Sequence, residues 1–175
     1  VYAGGQVARG GQLGVLGNQD IMDVPFSMSS YTEKLIRDQQ AETVGDVLLN
    51  DSSVRQASGY ANQAQTFMIR GLPLNGDDMS YNGLYGILPR QIISTDALER
   101  VEVFKGPNAF INGVSPTGSG IGGGVNLQPK RADDLPLRRF STDISSDGRV
   151  GEHLDIGQRF GEDNRFGARV NLSQR

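Results

Sequence analysis

The chain has 175 residues, including 24 glycines, no cysteine, no tryptophan, a single histidine (His153) and a formal net charge of -3. That length fits one domain with an appendage, and the mild acidity argues against a nucleic-acid partner. The cysteine count excludes disulfides and thiolate metal sites, the lone histidine excludes a His dyad or multi-His metal centre, and no apolar run suffices for a membrane-spanning helix.

Val1 is neither an initiator Met nor the start of a signal-peptide pattern, so the expectation is a mature or trimmed chain. Residues 1–20 carry scattered glycines and little periodicity, which predicts an extended lead-in. Pro25 to Ser29 alternates and predicts a short strand. Ser30-Tyr31-Thr32-Glu33 has capping-box spacing, so Ser30 is expected to open a helix that runs to about Gln39. Thr43-Val44-Gly45-Asp46 repeats the box in weaker form, and Val44, Val47 and Leu48 make the apolar stripe of a second short helix.

Val54 to Gln65 reads as strand then loop, and Thr66 to Leu72 as a strand with Phe67 and Ile69 on one face, Met68 and Arg70 on the other. Pro73 to Asp78 supplies turn residues, and Ser80 to Leu88 returns as a hairpin around Asn82-Gly83. Asp96 to Glu99 is expected to form one capped helical turn. Arg100 to Lys105 alternates with Val101 and Val103 on one face, Asn108 to Ile111 makes a further short helix after Gly106-Pro107, and Val125 to Gln128 is strand-like.

The pattern shifts after Arg131. Asp133 to Pro136 reads as a linker, followed by three longer alternating strands around Phe140-Thr142-Ile144, Leu154-Ile156-Gln158-Phe160 and Phe166-Ala168-Val170-Leu172. Segments of about 10 residues with apolar and polar faces suit a transmembrane barrel strand, and soluble sheets give the same signal. Three strands cannot close a barrel that needs about eight, so the chain reads as part of something longer. Gly118 to Gly123 contains G-x-G-x-x-G, but a strand follows it instead of a helix, so tight turns account for it better than a nucleotide site. The acidic residues between Asn75 and Asn82 lack the spacing and terminal Glu of a calcium loop.

Four stretches carry a resemblance: the lead-in Y-A-G-G-Q-V-A-R-G-G-Q-L-G-V-L-G with D-V-P-F-S, then I-R-G-L at Ile69 to Leu72, L-E-R-V-E-V-F-K-G-P at Leu98 to Pro107, and G-G-G-V-N-L-Q-P-K-R ending at Arg131. In this order they resemble TonB-dependent outer-membrane siderophore receptors of the hydroxamate, ferrichrome-type branch. The resemblance implies an α+β plug domain with a four-stranded mixed β-sheet and short helices, followed by the first antiparallel strands of a 22-stranded transmembrane β-barrel, truncated here. It divides the chain into a lead-in (1–20), a plug (21–131), a linker (132–136) and three barrel strands (137–175). No TonB box is evident after Val1, and no signalling domain is present in the sequence.

The function implied is import of a ferric siderophore, energised by TonB, at the outer membrane of a Gram-negative cell with the plug reachable from the periplasm. No catalytic residue, no protein-held metal and no nucleic-acid partner are expected; iron travels inside the chelator, and barrel strands meet lipid. Haem, cobalamin or another chelate is the alternative cargo, and a soluble β-rich carbohydrate-binding module or enzyme the alternative class. Ligand contacts are expected on loops 58–63, 75–85 and 89–96. Tyr60, Gln63, Asp77, Tyr81, Tyr85, Arg90 and Gln91 are the candidates, because aromatic area and amide or guanidinium donors suit an oxygen-rich chelate. Arg70 and Lys105 match positions where plug cations pair with barrel carboxylates. Glu99, Arg100 and Glu102 read as strand-edge or intra-plug ion partners.

Overall fold

The computed structural model describes residues 4–58 and 62–175. The chain divides into two compact units, Val1–Pro129 and Lys130–Arg175. In the first, β1 (Gly10–Gln12) pairs with β2 (Asn18–Asp20), and β3 (Ser27–Thr32) leads into α1 (Glu33–Asp38) and α2 (Val44–Leu48). β4 (Val54–Gln56), β5 (Thr66–Ile69) and β6 (Leu72–Asn75) form a three-stranded antiparallel sheet. β7 (Ser80–Tyr81), β8 (Leu98–Lys105), the short α3 (Ala109–Asn112) and β9 (Gly123–Pro129) complete the unit.

The central sheet has four strands in the order β3-β8-β9-β7 and is mixed, with only the β7–β9 pair parallel. Tyr31, Val101, Val103, Val125 and Leu127 share one face of it and are buried with Val44, Val47 and Leu48 of α2 and Phe67, Ile69 and Leu74 of the smaller sheet. A second cluster joins Leu13, Met28, Phe104 and Ile111 on the opposite side.

Local chemistry explains most boundaries. The weaker box at Thr43 is complete: its hydroxyl accepts from the Asp46 amide while the Asp46 carboxylate accepts from the Thr43 amide. The stronger-looking box at Ser30 does not form. Ser30 lies inside β3 opposite Glu102, and Thr32 precedes α1 instead. Sheet pairing uses the Ser30 backbone before it can cap anything. Likewise I-R-G-L is a turn, not the end of one strand. Arg70 and Gly71 both have positive φ, 51° and 84°, and Ile69 pairs with Leu72 across them. Pro73 therefore sits in β6, an edge strand, where its missing N–H is tolerated. Asn82 and Gly83 make the anticipated turn at φ 51° and 82°. At Asp96 the chain makes a plain turn, with Leu98 N donating to Thr95 O at 2.9 Å, and the strand begins at Leu98.

The second unit is an antiparallel meander of β10 (Leu137–Ile144), β11 (Val150–Phe160) and β12 (Phe166–Gln174). Phe140, Leu154 and Leu172 align across it, as do Arg138, Ile156 and Val170. Phe140, Ile144, Phe160, Phe166, Val170 and Leu172 are all more than half exposed. The reverse face is ionic: Arg169 grips Asp155 with a two-pronged contact at 2.8 and 2.7 Å, and Lys130 adds a third contact at 3.3 Å. No described helix is long and apolar enough to cross a membrane, a finding that does not bear on strands.

Two outcomes follow. Gly123 has φ +154° and a Cβ there would lie 2.2 Å from the Phe104 carbonyl oxygen, so Gly123→Ala should cost about 1–3 kcal/mol, seen as a lower urea midpoint by circular dichroism. The exposed apolar face should drive the isolated chain to associate in water, and a monomer by light scattering at high concentration would contradict this.

Candidate functional site

Four of the candidate ligand residues are brought together by backbone pairing. An isolated bridge joins Ala64 to Gln91, Ile92 N donates to Gln63 O at 3.0 Å, and Gln65 N donates to Arg90 O at 3.3 Å. Gly76 N then donates to Gln65 O at 3.0 Å, which brings the turn carrying Asp77 against the same ladder. Gly76 is needed there, because a Cβ would lie 3.0 Å from Gln65 O and 3.2 Å from Arg90 O. Across this junction the Arg90 guanidinium meets Asp77 Oδ2 through Nε at 3.2 Å and Nη2 at 3.1 Å. Gln63, Arg90 and Gln91 are exposed, so the cluster offers two amides and a half-neutralised guanidinium to a ligand.

The tyrosines separate. Tyr81 is half-buried against the main core. Tyr85 lines a cleft of about 250 Å³ with Leu74, Asp78, Asn108, Val114 and Ser119. Burial, and then the Asp78 charge, push the Tyr85 hydroxyl up, so it stays protonated. Tyr60 lies outside the described residues.

Asp78 had no expected role beyond turn chemistry, yet it is buried and clamps a distant loop. Its carboxylate accepts from the Thr117 amide at 2.8 Å, the Ser119 amide at 3.0 Å, and both hydroxyls. Burial alone would raise its pKa, but the donors from Ser119 and Thr117 outweigh that and lower it. A contact spanning 39 to 41 residues leaves no local trace in the sequence.

Lys105, expected to reach a carboxylate on a barrel wall, is engaged within its own unit. Its Nζ sits 2.9 Å from Oδ2 of Asp51, which is buried and could not stay ionised without a cation. Ser53 donates to the other oxygen through its amide at 2.9 Å and its hydroxyl at 2.7 Å, and the Tyr31 hydroxyl donates at 3.4 Å. Burial works against the Asp51 charge, but Lys105 and Ser53 overcome it and bring the pKa to about 2. Burial first, then Asp51, push Tyr31 up to about 12. Arg70 is exposed; its amide donates to Ser53 O at 2.9 Å, its side chain makes no hydrogen bond or ion pair among the described residues, and its Nη1 lies 3.8 Å from the Cβ position of Gly106, beside Lys105.

Arg100 pairs within the unit, as expected, 3.7 Å from both Glu99 and Glu102. The strand that carries it is central, however, not at an edge. No group of three or more His, Cys, Asp or Glu that could hold a metal occurs among the described residues.

A carboxylate with a depressed folded-state pKa stabilises the fold above its unfolded value and loses that contribution as pH falls. Asp51 therefore contributes about 2 kcal/mol at neutral pH, lost between about pH 4 and pH 2. Asp51→Asn should flatten the stability profile in that window, measured by urea titration at stepped pH. Lys105→Ala should cost about 3–5 kcal/mol by stranding the Asp51 charge.

Residues 20–120 match the family model of the TonB-dependent Receptor Plug Domain. The ferrichrome receptor FcuA of Yersinia enterocolitica is 56% identical over 174 residues, covering 99% of this chain and 23% of that protein. The crystal structure of BauA, the ferric preacinetobactin receptor from Acinetobacter baumannii, superposes with a TM-score of 0.92 at 43% identity, over 99% of this chain and 26% of its own. The siderophore receptor PiuA from Acinetobacter baumannii gives a TM-score of 0.76 at 25% identity, over 89% of this chain and 21% of its own. The chain thus spans about a quarter of the length of these relatives.

Proposed function

The chain belongs to the TonB-dependent receptor plug-domain family, and from that membership we propose that it is the plug and first barrel strands of an outer-membrane receptor importing a ferric siderophore. The observation that carries the cargo class is the 56% identity, across nearly the whole chain, to a receptor named for ferrichrome. The loop cluster supports it chemically. Gln63 and Gln91 offer amide donors and Arg90 a planar donor tempered by Asp77, a set suited to the oxygen acceptors of a neutral hydroxamate chelate. Tyr60 and Tyr85 are the aromatic candidates that remain for stacking.

The chemistry required is binding and release. Iron stays with its chelator, and no bond is made or broken by a side chain of this protein. TonB supplies the energy, and the second unit faces lipid with Phe140, Ile144, Val170 and Leu172. Arg70, whose side chain has no partner among the described residues, is the plug cation proposed to meet a carboxylate of the barrel wall. Ligand binding shifts the plug toward a transmitting state only by the difference in its affinity for the two states.

In the full-length receptor, Arg90→Ala with Gln91→Ala should weaken binding of a ferric trihydroxamate about tenfold or more, read by intrinsic fluorescence quenching. Binding of haem or cobalamin alone, with no response to a panel of ferric siderophores, would overturn the cargo assignment.

A further inference from the structure

We propose that the cleft beside Asp78 is a binding site for one small neutral carbonyl compound, an amide or a hydroxamate, held by the side-chain amide of Asn108 and the hydroxyl of Tyr85. The inference goes beyond the import reading above, and the first part of its test does not rest on it.

The cleft lies within the first unit, between the segment that follows β8 and the glycine-rich loop ahead of β9. Its loop wall is fixed before any ligand arrives. Asp78 accepts from the amides and hydroxyls of Thr117 and Ser119. Ser115 Oγ donates to Ser119 O at 2.7 Å, and Gly120 N donates to Pro73 O at 2.8 Å. Glycines keep the space open: a Cβ on Gly124 would lie 2.7 Å from Asn108 Nδ2, and one on Gly120 3.1 Å from Leu74 Cδ1.

What the fold leaves unspent here are donors. Asn108 is 8% exposed, and its Nδ2 makes no hydrogen bond among the described residues. Asparagine ahead of a helix ordinarily serves as a cap. Asn108 precedes α3, yet its side chain caps nothing. A buried donor left without an acceptor is costly, and a ligand oxygen within reach removes that cost. The Tyr85 hydroxyl also makes no hydrogen bond among the described residues and stays protonated beside Asp78. The Asp78 carboxylate, by contrast, is already surrounded by donors.

Charge and size narrow the occupant. Two donors call for an acceptor oxygen. A carboxylate or phosphate supplies one, but the buried, ionised Asp78 in the cleft wall repels an anion where little water screens it. An ammonium group suits Asp78 but gives Asn108 no acceptor. A neutral carbonyl meets both conditions. The volume of about 250 Å³ falls below the roughly 300 Å³ at which pockets for drug-sized ligands begin, so a whole ferric chelate does not enter. Leu74 inside, with Val114 and Ile121 at 76% and 69% exposure, gives the apolar body of a small compound a surface to cover. That chemistry has two sources, a free small compound or one amide arm of the imported chelate.

The probe is N-methylbenzamide, with benzoate and benzylammonium as its anionic and cationic counterparts of similar shape. In the full-length receptor, methyl NMR should show N-methylbenzamide shifting Leu74 and Val114 saturably, with a dissociation constant of about 1 mM. Both ions should bind about tenfold more weakly or worse. No saturable shift, or tighter binding of either ion, would overturn the site. Asn108→Leu removes the donor and keeps the bulk, so it should weaken the probe about fivefold. Asn108→Asp should reverse the order in favour of benzylammonium, a change that misfolding cannot produce, and an unchanged order would overturn the role of Asn108. Displacement of the probe by a saturating ferric trihydroxamate supports the site with an arm of the chelate as its occupant, and joint binding supports it with a separate compound. A receptor that binds no ferric siderophore defeats the import reading, and the N-methylbenzamide titration still decides the cleft.

Discussion

The four-stranded sheet is buried on both faces, and those faces are chemical opposites. β8 sets this up by simple alternation, sending Val101 and Val103 into the apolar core and Arg100 and Glu102 to the reverse side. An apolar face locks to helices by excluding water, without regard to direction. A polar face holds its cover only where donors and acceptors meet. One strand thus carries an apolar packing face and a hydrogen-bonding face back to back.

With no cysteine in the sequence, loops are tied down by carboxylates. Asp51 gathers Lys105, Ser53 and Tyr31, and so joins the segment after α2 to β8 and β3. Asp78 gathers Thr117 and Ser119 and fixes the glycine-rich loop ahead of β9. Both anions are surrounded by more donors than their burial requires, which is why both stay charged. Glu102 is the contrast: deeper, with fewer partners, and pushed toward its neutral form. The strong sites fix loops, while the weaker one lies under the lead-in.

The second unit shows the same period-two logic applied to different surroundings. Its large apolar residues are exposed while the pairs of Asp155 with Arg169 and Lys130 are sheltered, the reverse of a water-soluble sheet.

What could be read directly from the residues was whatever depends on near neighbours. The alternating strands, the Thr43 capping box, the Asn82-Gly83 turn and the apolar stripe of α2 all close within a few positions. The likeness of four motifs to a known family carried the rest of the fold. Tertiary structure decided wherever a group had distant suitors. Ser30 had the spacing of a cap but was taken by the sheet, Arg70 became a turn residue, and Lys105 found Asp51, 54 positions away in the numbering. Gln63, Asp77, Arg90 and Gln91 became neighbours only through bridges made by loop backbones. Spacing along a chain determines periodicity, but the partner of a buried charge is chosen by which opposite charge the completed fold places within reach.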